Sequence, residues 1–165
     1  METSKITGMN KKMKGIVESK KVGLEKKNQI TVNHLQNLLF PNFVLVHDCI
    51  IISKKPLQQL EKHFDSSLKL YSEKTAYEAS NTEIRINDFF DNQISAADAI
   101  SIAFLVIDCW VPRLKSLGKG CKICFIFSCD EEFVTLRFHR IRSTEKMWLA
   151  DNLEDYEEPV GYVET

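Results

Sequence analysis

One apolar stretch, residues 95–117, constrains the fold of this chain more than any other part of the sequence. Its apolar side chains recur at intervals of three and four residues, which is the spacing of one face of an α-helix. Most of the remaining circumference is apolar too, which is typical of a helix buried within a fold. Gly118 and Gly120 follow and end the pattern. The sequence therefore predicts a long central helix with this buried face: Ile100, Ala103, Ile107, Trp110, Leu114 and Leu117.

The segments after this helix alternate between apolar and polar residues. Residues 121–129 predict one strand, with Cys121, Ile123, Phe125 and Phe127 on a single face. Asp130 and Glu131 predict a turn. The returning strand over residues 133–142 is then expected to point Val134, Leu136 and Phe138 inward and Thr135, Arg137 and His139 outward. This pattern favours an antiparallel hairpin, followed by a closing strand over residues 160–163.

The elements on either side of this core are shorter. A helix is expected from Thr31 or Asn33 to Pro41, and a second begins near Ser53 and Pro56. Residues 43–53 predict either one buried strand or a hairpin turning at His47 and Asp48. Residues 83–89 predict a half-exposed strand, residues 147–156 a short helix that buries Trp148, Leu149 and Leu153, and residues 70–82 give only a weak pattern. This order predicts a single α+β domain over residues 30–165, in which a mainly antiparallel sheet packs against a long central apolar helix and shorter helices.

Charge is distributed unevenly along the chain. The net charge is -1, yet the first 27 residues carry eight lysines and three glutamates. With few apolar residues to bury, residues 1–29 predict a basic, flexible arm outside the domain. The last 21 residues hold seven acids and one lysine. The sequence pI of about 6.4 argues against a nucleic-acid partner.

Composition also bounds the class of protein. No apolar run approaches the roughly 18 residues that cross a bilayer, and residues 1–30 contain no secretory h-region. We therefore expect a cytoplasmic protein with no membrane partner and with reduced, mostly buried thiols. Cys121 and Cys124 form a CxxC without a second such pair, so structural cysteines are favoured over a zinc site completed by Cys129 and His139. No nucleotide-binding or metal-binding motif is present, and no cofactor is expected.

Two other functions remain open at this stage. A small enzyme would use Cys109 or Cys124 with His47 or His139, although His47 and Asp48 fit a turn better than a catalytic dyad. A nucleic-acid-binding regulator would use the lysine-rich arm with the arginines of the last long strand, which are Arg137, Arg140 and Arg142. Those arginines are otherwise expected to be neutralised in part by the acidic C-terminal end.

A family resemblance lies in the C-terminal residues. The strand ends in Leu136-Arg137-Phe138-His139-Arg140-Ile141-Arg142, and a Trp148-Leu149 pair and an Asp151…Leu153-Glu154…Tyr156 pattern follow it, before Glu158-Pro159-Val160. This order resembles the C-terminal part of bacterial immunity proteins of polymorphic-toxin and contact-dependent growth inhibition systems. The resemblance lies within residues 134–160 and does not include the basic arm.

The resemblance implies stoichiometric inhibition rather than catalysis. Such a protein binds the C-terminal toxin domain of a neighbouring system, often a nuclease, and blocks it. A strip of carboxylates imitates the phosphate backbone that a nuclease recognises, and it speeds association with a basic surface. The expected partner contacts are therefore Asp151, Glu154, Asp155, Tyr156, Glu157 and Glu158. The sequence leaves the oligomeric state open.

Overall fold

The long helix forms as its sequence predicts. The computed structural model describes residues 6–19 and 30–165. The helix, named α5 here, spans Ala96–Leu117; the Ser95 hydroxyl accepts a hydrogen bond from the Asp98 N–H at its start. Its buried residues are Ala99, Ile100, Ala103, Val106, Ile107, Trp110 and Leu114. Leu105 is exposed, so one flank of the helix faces solvent.

Shorter elements surround α5 in the described residues. The other helices are α1 (Lys11–Glu18), α2 (Val32–Leu39), α3 (Leu57–Tyr71) and α4 (Lys74–Asn81). The strands are β1 (Gly8–Met9), β2 (Phe43–Val46), β3 (Cys49–Ile52), β4 (Ile84–Arg85), β5 (Ile123–Asp130), β6 (Phe133–Arg140) and β7 (Val160–Glu164). Within these residues, no helix has the length and apolar character that a membrane crossing needs.

Five strands form one antiparallel sheet in the order β1-β7-β5-β6-β4. The predicted hairpin is β5 and β6, with Phe125 opposite Phe138. Alternate residues of these strands point towards α5, where Phe127 meets the ring of Phe104 at 5.1 Å between centroids. The prediction of a single α+β domain with a mainly antiparallel sheet on a long helix is confirmed.

Of the two alternatives for residues 43–53, one strand or a hairpin, the structure shows the hairpin, over residues 43–52. Strands β2 and β3 make a separate two-stranded sheet, and His47 and Asp48 lie in the turn between them. Their φ angles are 44° and 67°, so both residues adopt the left-handed conformation. Two left-handed residues give a turn whose twist matches that of the flanking strands. The interpretation of His47 and Asp48 as a turn is therefore confirmed.

The predicted strand over residues 83–89 is wrong beyond Arg85. Of these residues, only Ile84 and Arg85 (β4) pair with β6, and Ile86–Phe89 forms a 3₁₀ turn. The free edge of β6 is instead occupied by side chains. The amide oxygen of Asn87 accepts from the Val134 N–H at 2.8 Å, and the Thr82 hydroxyl accepts from the Phe138 N–H at 2.9 Å. These side chains replace the hydrogen bonds that a longer strand would make.

The prediction that residues 1–29 form an arm outside the domain is wrong for residues 6–19. Strand β1 pairs with β7, with Gly8 opposite Tyr162. Helix α1 buries Met13 completely in the main core. The apolar residues Met13, Ile16 and Val17 of α1 have helical spacing, and the lysines of the same helix lie on its exposed side. The rest of the expected arm, residues 1–5 and 20–29, lies outside the described residues.

Candidate protein-binding surface

The segment between β6 and β7, residues 141–159, crosses the face of the sheet opposite α5. The predicted helix over residues 147–156 is wrong, because only Leu153–Asp155 forms a single 3₁₀ turn. The apolar side chains of this outer segment cover Cys124, Ile126 and Val160; they are Ile141, Met147, Leu149, Leu153 and Tyr156. Both faces of the sheet are therefore covered, one by helices and the other by a segment without regular structure.

His139 holds the outer segment to the sheet. The alternation along β6 predicts that this side chain lies on the outer face of the sheet. It is nevertheless fully buried, because residues 141–159 cover that face. Its Nδ1 lies 3.0 Å from the Arg140 carbonyl oxygen, and the Trp148 N–H donates to its Nε2 at 3.4 Å. One ring nitrogen donates and the other accepts, which is the arrangement of a neutral imidazole. Burial lowers the pKa of His139 below its ordinary value of 6.5, in spite of the opposing effects of the Arg140 carbonyl and Glu78.

A pH dependence of stability follows from His139. Its pKa is lower in the folded protein than in the unfolded chain, so the unfolded chain binds the proton first as pH falls. The free energy of unfolding is therefore expected to decrease once the pH drops below about 6.5. Urea unfolding at pH 7.5 and at pH values below 6.5 measures this loss. The charged groups that act on His139 are Glu78, Arg142 and Glu145.

The matched variants separate His139 from other groups. His139→Phe removes the titrating group and should flatten the pH dependence in this window, even if its stability at pH 7.5 is lower. Gln58→Ala, at an exposed position of α3, leaves His139 in place and should keep the wild-type dependence. Equal slopes for wild type and His139→Phe would contradict the assignment.

All six residues predicted as partner contacts lie on the outer segment. Asp151, Glu154, Asp155, Glu157 and Glu158 are exposed, and Tyr156 is half-buried. Two of the carboxylates have intramolecular partners: Glu154 accepts from the Lys11 N–H at 3.0 Å, and Asp155 accepts from the Asn152 amide at 2.8 Å. Among the described residues, the carboxylates of Asp151, Glu157 and Glu158 make no hydrogen bond or ion pair, so these three are available to a partner.

Hydrogen bonds of the Asn10 side chain hold the acidic part of the outer segment in place. This buried side chain caps α1 by accepting from the Met13 N–H at 2.9 Å. The same oxygen accepts from the Val160 N–H at 3.2 Å, and the amide group donates to the Glu158 carbonyl at 2.8 Å. Tyr156 adds a further restraint, because its hydroxyl accepts from the Ala150 N–H at 2.9 Å. The acidic residues are thus carried by a backbone that is tied to the fold at several points.

Two clefts lie beside the acidic residues. The larger has a volume of about 500 Å³ and is lined by residues of β1, β7 and the outer segment. The smaller, about 100 Å³, is lined in part by Arg137, Trp148, Tyr156 and Glu158. The sequence pattern predicts Trp148 on the buried side of a helix, but its side chain is 40% exposed. An exposed tryptophan beside an arginine and a tyrosine has the composition of an interface hot spot, which the sequence pattern did not reveal.

Arg137, Arg140 and Arg142 have acidic partners, but their ion pairs are made with residues outside the acidic C-terminal end; of that end, Glu145 acts on Arg142. Arg137 pairs with Glu83 at 2.6 Å. Arg140 pairs with Asp48, and Arg142 pairs with Glu78 at 2.7 Å. The sheet register brings these arginines beside acids of α4, the β2–β3 turn and the start of β4. The acidic segment therefore keeps its negative charge, and the arginines have internal partners rather than a free basic face.

The surroundings of the cysteines bear on the two hypotheses of a Cys/His enzyme and of a zinc site. Cys124 lies directly opposite His139 in the β5–β6 register, but burial raises the pKa of Cys124 to about 12. A thiol with that pKa stays protonated at neutral pH, and both nitrogens of His139 already have backbone partners. The possible zinc ligands are not brought together, because Cys129 lies in the main core and Cys124 lies on the other face. Across residues 6–19 and 30–165, no group of three or more His, Cys, Asp or Glu side chains is arranged to hold a metal ion.

The fold and this surface define a single-domain α+β protein with an acidic segment across the outer face of its sheet. The chain belongs to the uncharacterized protein PM0498 family, whose model matches residues 8–165. The match begins at the first residue of β1, so the family includes the N-terminal strand and helix. No curated protein and no solved structure matches the chain.

Proposed function

We propose that this protein is an immunity protein that binds the toxin domain of a neighbouring system and neutralises it by stoichiometric inhibition. The observation that carries the proposal is the row of exposed carboxylates on residues 151–158, of which those of Asp151, Glu157 and Glu158 have no partner among the described residues. The resemblance of residues 134–160 to immunity proteins supports the same function. No catalytic group or cofactor is needed for this activity, since occupation of the toxin surface is sufficient.

Charge is the first argument for a basic partner. Residues 147–165 contain six acidic residues and neither lysine nor arginine. A nuclease binds phosphates with a basic cleft, so the potentials of the two surfaces would be complementary. Complementary potentials mainly raise the association rate and exclude wrong partners. Both effects suit an inhibitor that has to capture a toxin before it acts.

Pre-organisation is the second argument. The carboxylates lie on a backbone held by Asn10, His139 and Tyr156. A surface that is ordered before binding loses less conformational entropy on association than a flexible tail. The partly exposed Trp148 and the half-buried Tyr156 add aromatic area beside the charges. These features favour a docking surface over a merely solvating acidic tail.

The proposal is tested with the purified toxin domain of the neighbouring system. Inhibition of its activity should be complete at one equivalent of this protein, and a 1:1 complex should be seen by light scattering. Co-expression should restore growth of sensitive cells. Full inhibition at far less than one equivalent would instead indicate an enzyme that modifies the toxin, and no inhibition at several equivalents would refute the proposal.

The acidic surface is tested by removing only the carboxylates that have no internal partner. The triple variant Asp151→Asn, Glu157→Gln, Glu158→Gln should weaken toxin binding about 10-fold at low salt, because three exposed charge pairs are lost. The loss should come mostly from a slower association rate and should shrink as salt rises. Surface plasmon resonance at two salt concentrations measures both.

A charge-matched control distinguishes this surface from general electrostatics. Glu61→Gln, Asp65→Asn, Asp91→Asn removes three exposed acids from α3 and the loop before α5. It should leave the association rate close to that of wild type. Equal slowing in both triple variants would show that net charge, rather than the outer segment, attracts the toxin.

A further inference from the structure

The larger cleft lies where the outer segment passes the β1 edge of the sheet. It has a volume of about 500 Å³ and is open to solvent on one side. Its lining residues are Gly8, Met9, Lys146, Met147, Leu149, Ala150, Asp151, Leu153 and Tyr162. A cavity of about 150 Å³ is enough for a benzene-sized group, so this cleft has room for a large apolar side chain with its flanking backbone.

The lining of the cleft suits an apolar side chain. Met147, Leu149 and Leu153 contribute aliphatic or thioether groups, and methionine adapts readily to the shape of what it contacts. The Tyr162 ring lies against the backbone of β1: a Cβ added to Gly8 would come within 2.5 Å of ring atom Cε1. The glycine therefore allows the aromatic ring to form part of the cleft wall.

The charges around the cleft indicate what kind of chain carries that side chain. Asp151 and Lys146 are the two charged residues of the lining. Beyond them, the outer segment is acidic, and the nearby lysines belong to α1. The Lys12 ammonium donates to the Glu157 carbonyl. Against the positive charges of Lys11, Lys12 and Lys146, residues 151–158 carry five acids. The remaining excess is negative and favours a cationic segment.

From this arrangement we infer that the larger cleft is a specificity site that receives one apolar side chain from a cationic segment of the partner protein. The inference rests on the proposed function and deepens it: the acidic residues attract the partner, and the cleft selects the side chain that enters. One wall comes from β1, so the N-terminal strand takes part in binding as well as in folding.

A tripeptide probe tests the cleft without the toxin. The ¹⁵N-labelled full chain is titrated with acetyl-Lys-Leu-Lys-amide at millimolar concentrations, and backbone amide shifts are followed by NMR. Saturable shifts are expected at Leu149, Ala150 and Tyr162. Acetyl-Lys-Gly-Lys-amide and acetyl-Glu-Leu-Glu-amide lack the apolar side chain and the positive charge respectively, and both should give much smaller shifts. Equal shifts with either control, or shifts located elsewhere, would overturn the inference.

A blocked cleft provides the second test. Ala150 is exposed at the cleft, and only its backbone N–H bonds to Tyr156, so Ala150→Trp fills the opening while leaving that bond possible. Ala150→Ser is the matched control, and a thermal melt of each variant establishes that it is folded. Ala150→Trp should abolish the peptide shifts and raise the toxin Kd by about 30-fold or more, as expected for a hot-spot side chain.

The two tests separate failure of the inference from failure of the proposed function. If wild type inhibits the toxin and Ala150→Trp binds it equally well, the cleft inference is wrong and the immunity function stands. If no toxin is inhibited but the Lys-Leu-Lys peptide binds in the cleft, the immunity function is wrong and the cleft still recognises a cationic apolar segment.

Discussion

Replacing Glu78 by glutamine is expected to lower the free energy of unfolding by about 3–5 kcal/mol, because it breaks a buried ion pair by removing one charge. Glu78 lies on α4 and is fully buried. Its carboxylate is 2.7 Å from the Arg142 guanidinium. In the variant, the nearest carboxylate left to that cation is the more distant one of Asp48, at 3.9 Å from Nε, within a mostly buried environment.

The same carboxylate joins the two sheets. One oxygen accepts from the Ile50 N–H in β3, and the other accepts from the Arg140 N–H in β6, each at 2.7 Å. A glutamine amide has a single acceptor oxygen, so one of these buried N–H groups would face an NH₂ group. An unsatisfied buried donor adds a further loss of stability. The small hairpin β2–β3 is therefore expected to loosen from the main sheet.

Urea unfolding followed by circular dichroism measures this effect. Glu61→Gln makes the same chemical change at an exposed position of α3 and should alter the free energy of unfolding by less than about 0.5 kcal/mol. If Glu78→Gln costs no more than this control, the carboxylate does not hold the two sheets together.

Met13→Ala is expected to lower the free energy of unfolding by about 2–5 kcal/mol, the range for truncating a buried methionine to alanine. Met13 is fully buried in the main core with residues of the helices and of β5 and β6. Its removal leaves a cavity beneath α1, and the cap formed by Asn10 holds the helix in place over it. A flexible arm, as the charge pattern suggested, would give no change.

The matched control is the neighbouring exposed position. Lys14→Ala changes the same helix without removing a core contact and should leave the urea midpoint almost unchanged. Hydrogen exchange provides an independent readout, since the backbone N–H of Met13 should be protected in wild type. Identical midpoints for Met13→Ala and Lys14→Ala would mean that α1 does not belong to the folded core.

The elements whose apolar pattern is long and regular can be predicted from the sequence alone. Helix α5 begins and ends where its spacing predicts, because 22 residues of apolar periodicity leave few alternatives. The β5–β6 hairpin follows from two apolar stretches that are separated by the polar residues Asp130 and Glu131. In each case the local pattern and the global fold require the same conformation. The acidic character of the candidate surface was also readable, since Asp151 to Glu158 are consecutive in the chain.

The elements whose stability comes from residues distant in the chain cannot be predicted in this way. Helix α4 has a weak apolar pattern because one of its buried residues is the charged Glu78. Burial of this carboxylate depends on Arg142 and on two strand N–H groups, which are distant in the sequence. The sequence of the N-terminal strand and helix is typical of a charged arm. Their place in the fold depends on the pairing of Gly8 with Tyr162 and on the burial of Met13 in the core. The exposure of Trp148 and the cleft beside it depend on a segment without regular periodicity, so no pattern encodes them. A sequence records which residues are apolar, but the partners of a buried charge and the shape of a surface arise only when chain segments far apart are packed together.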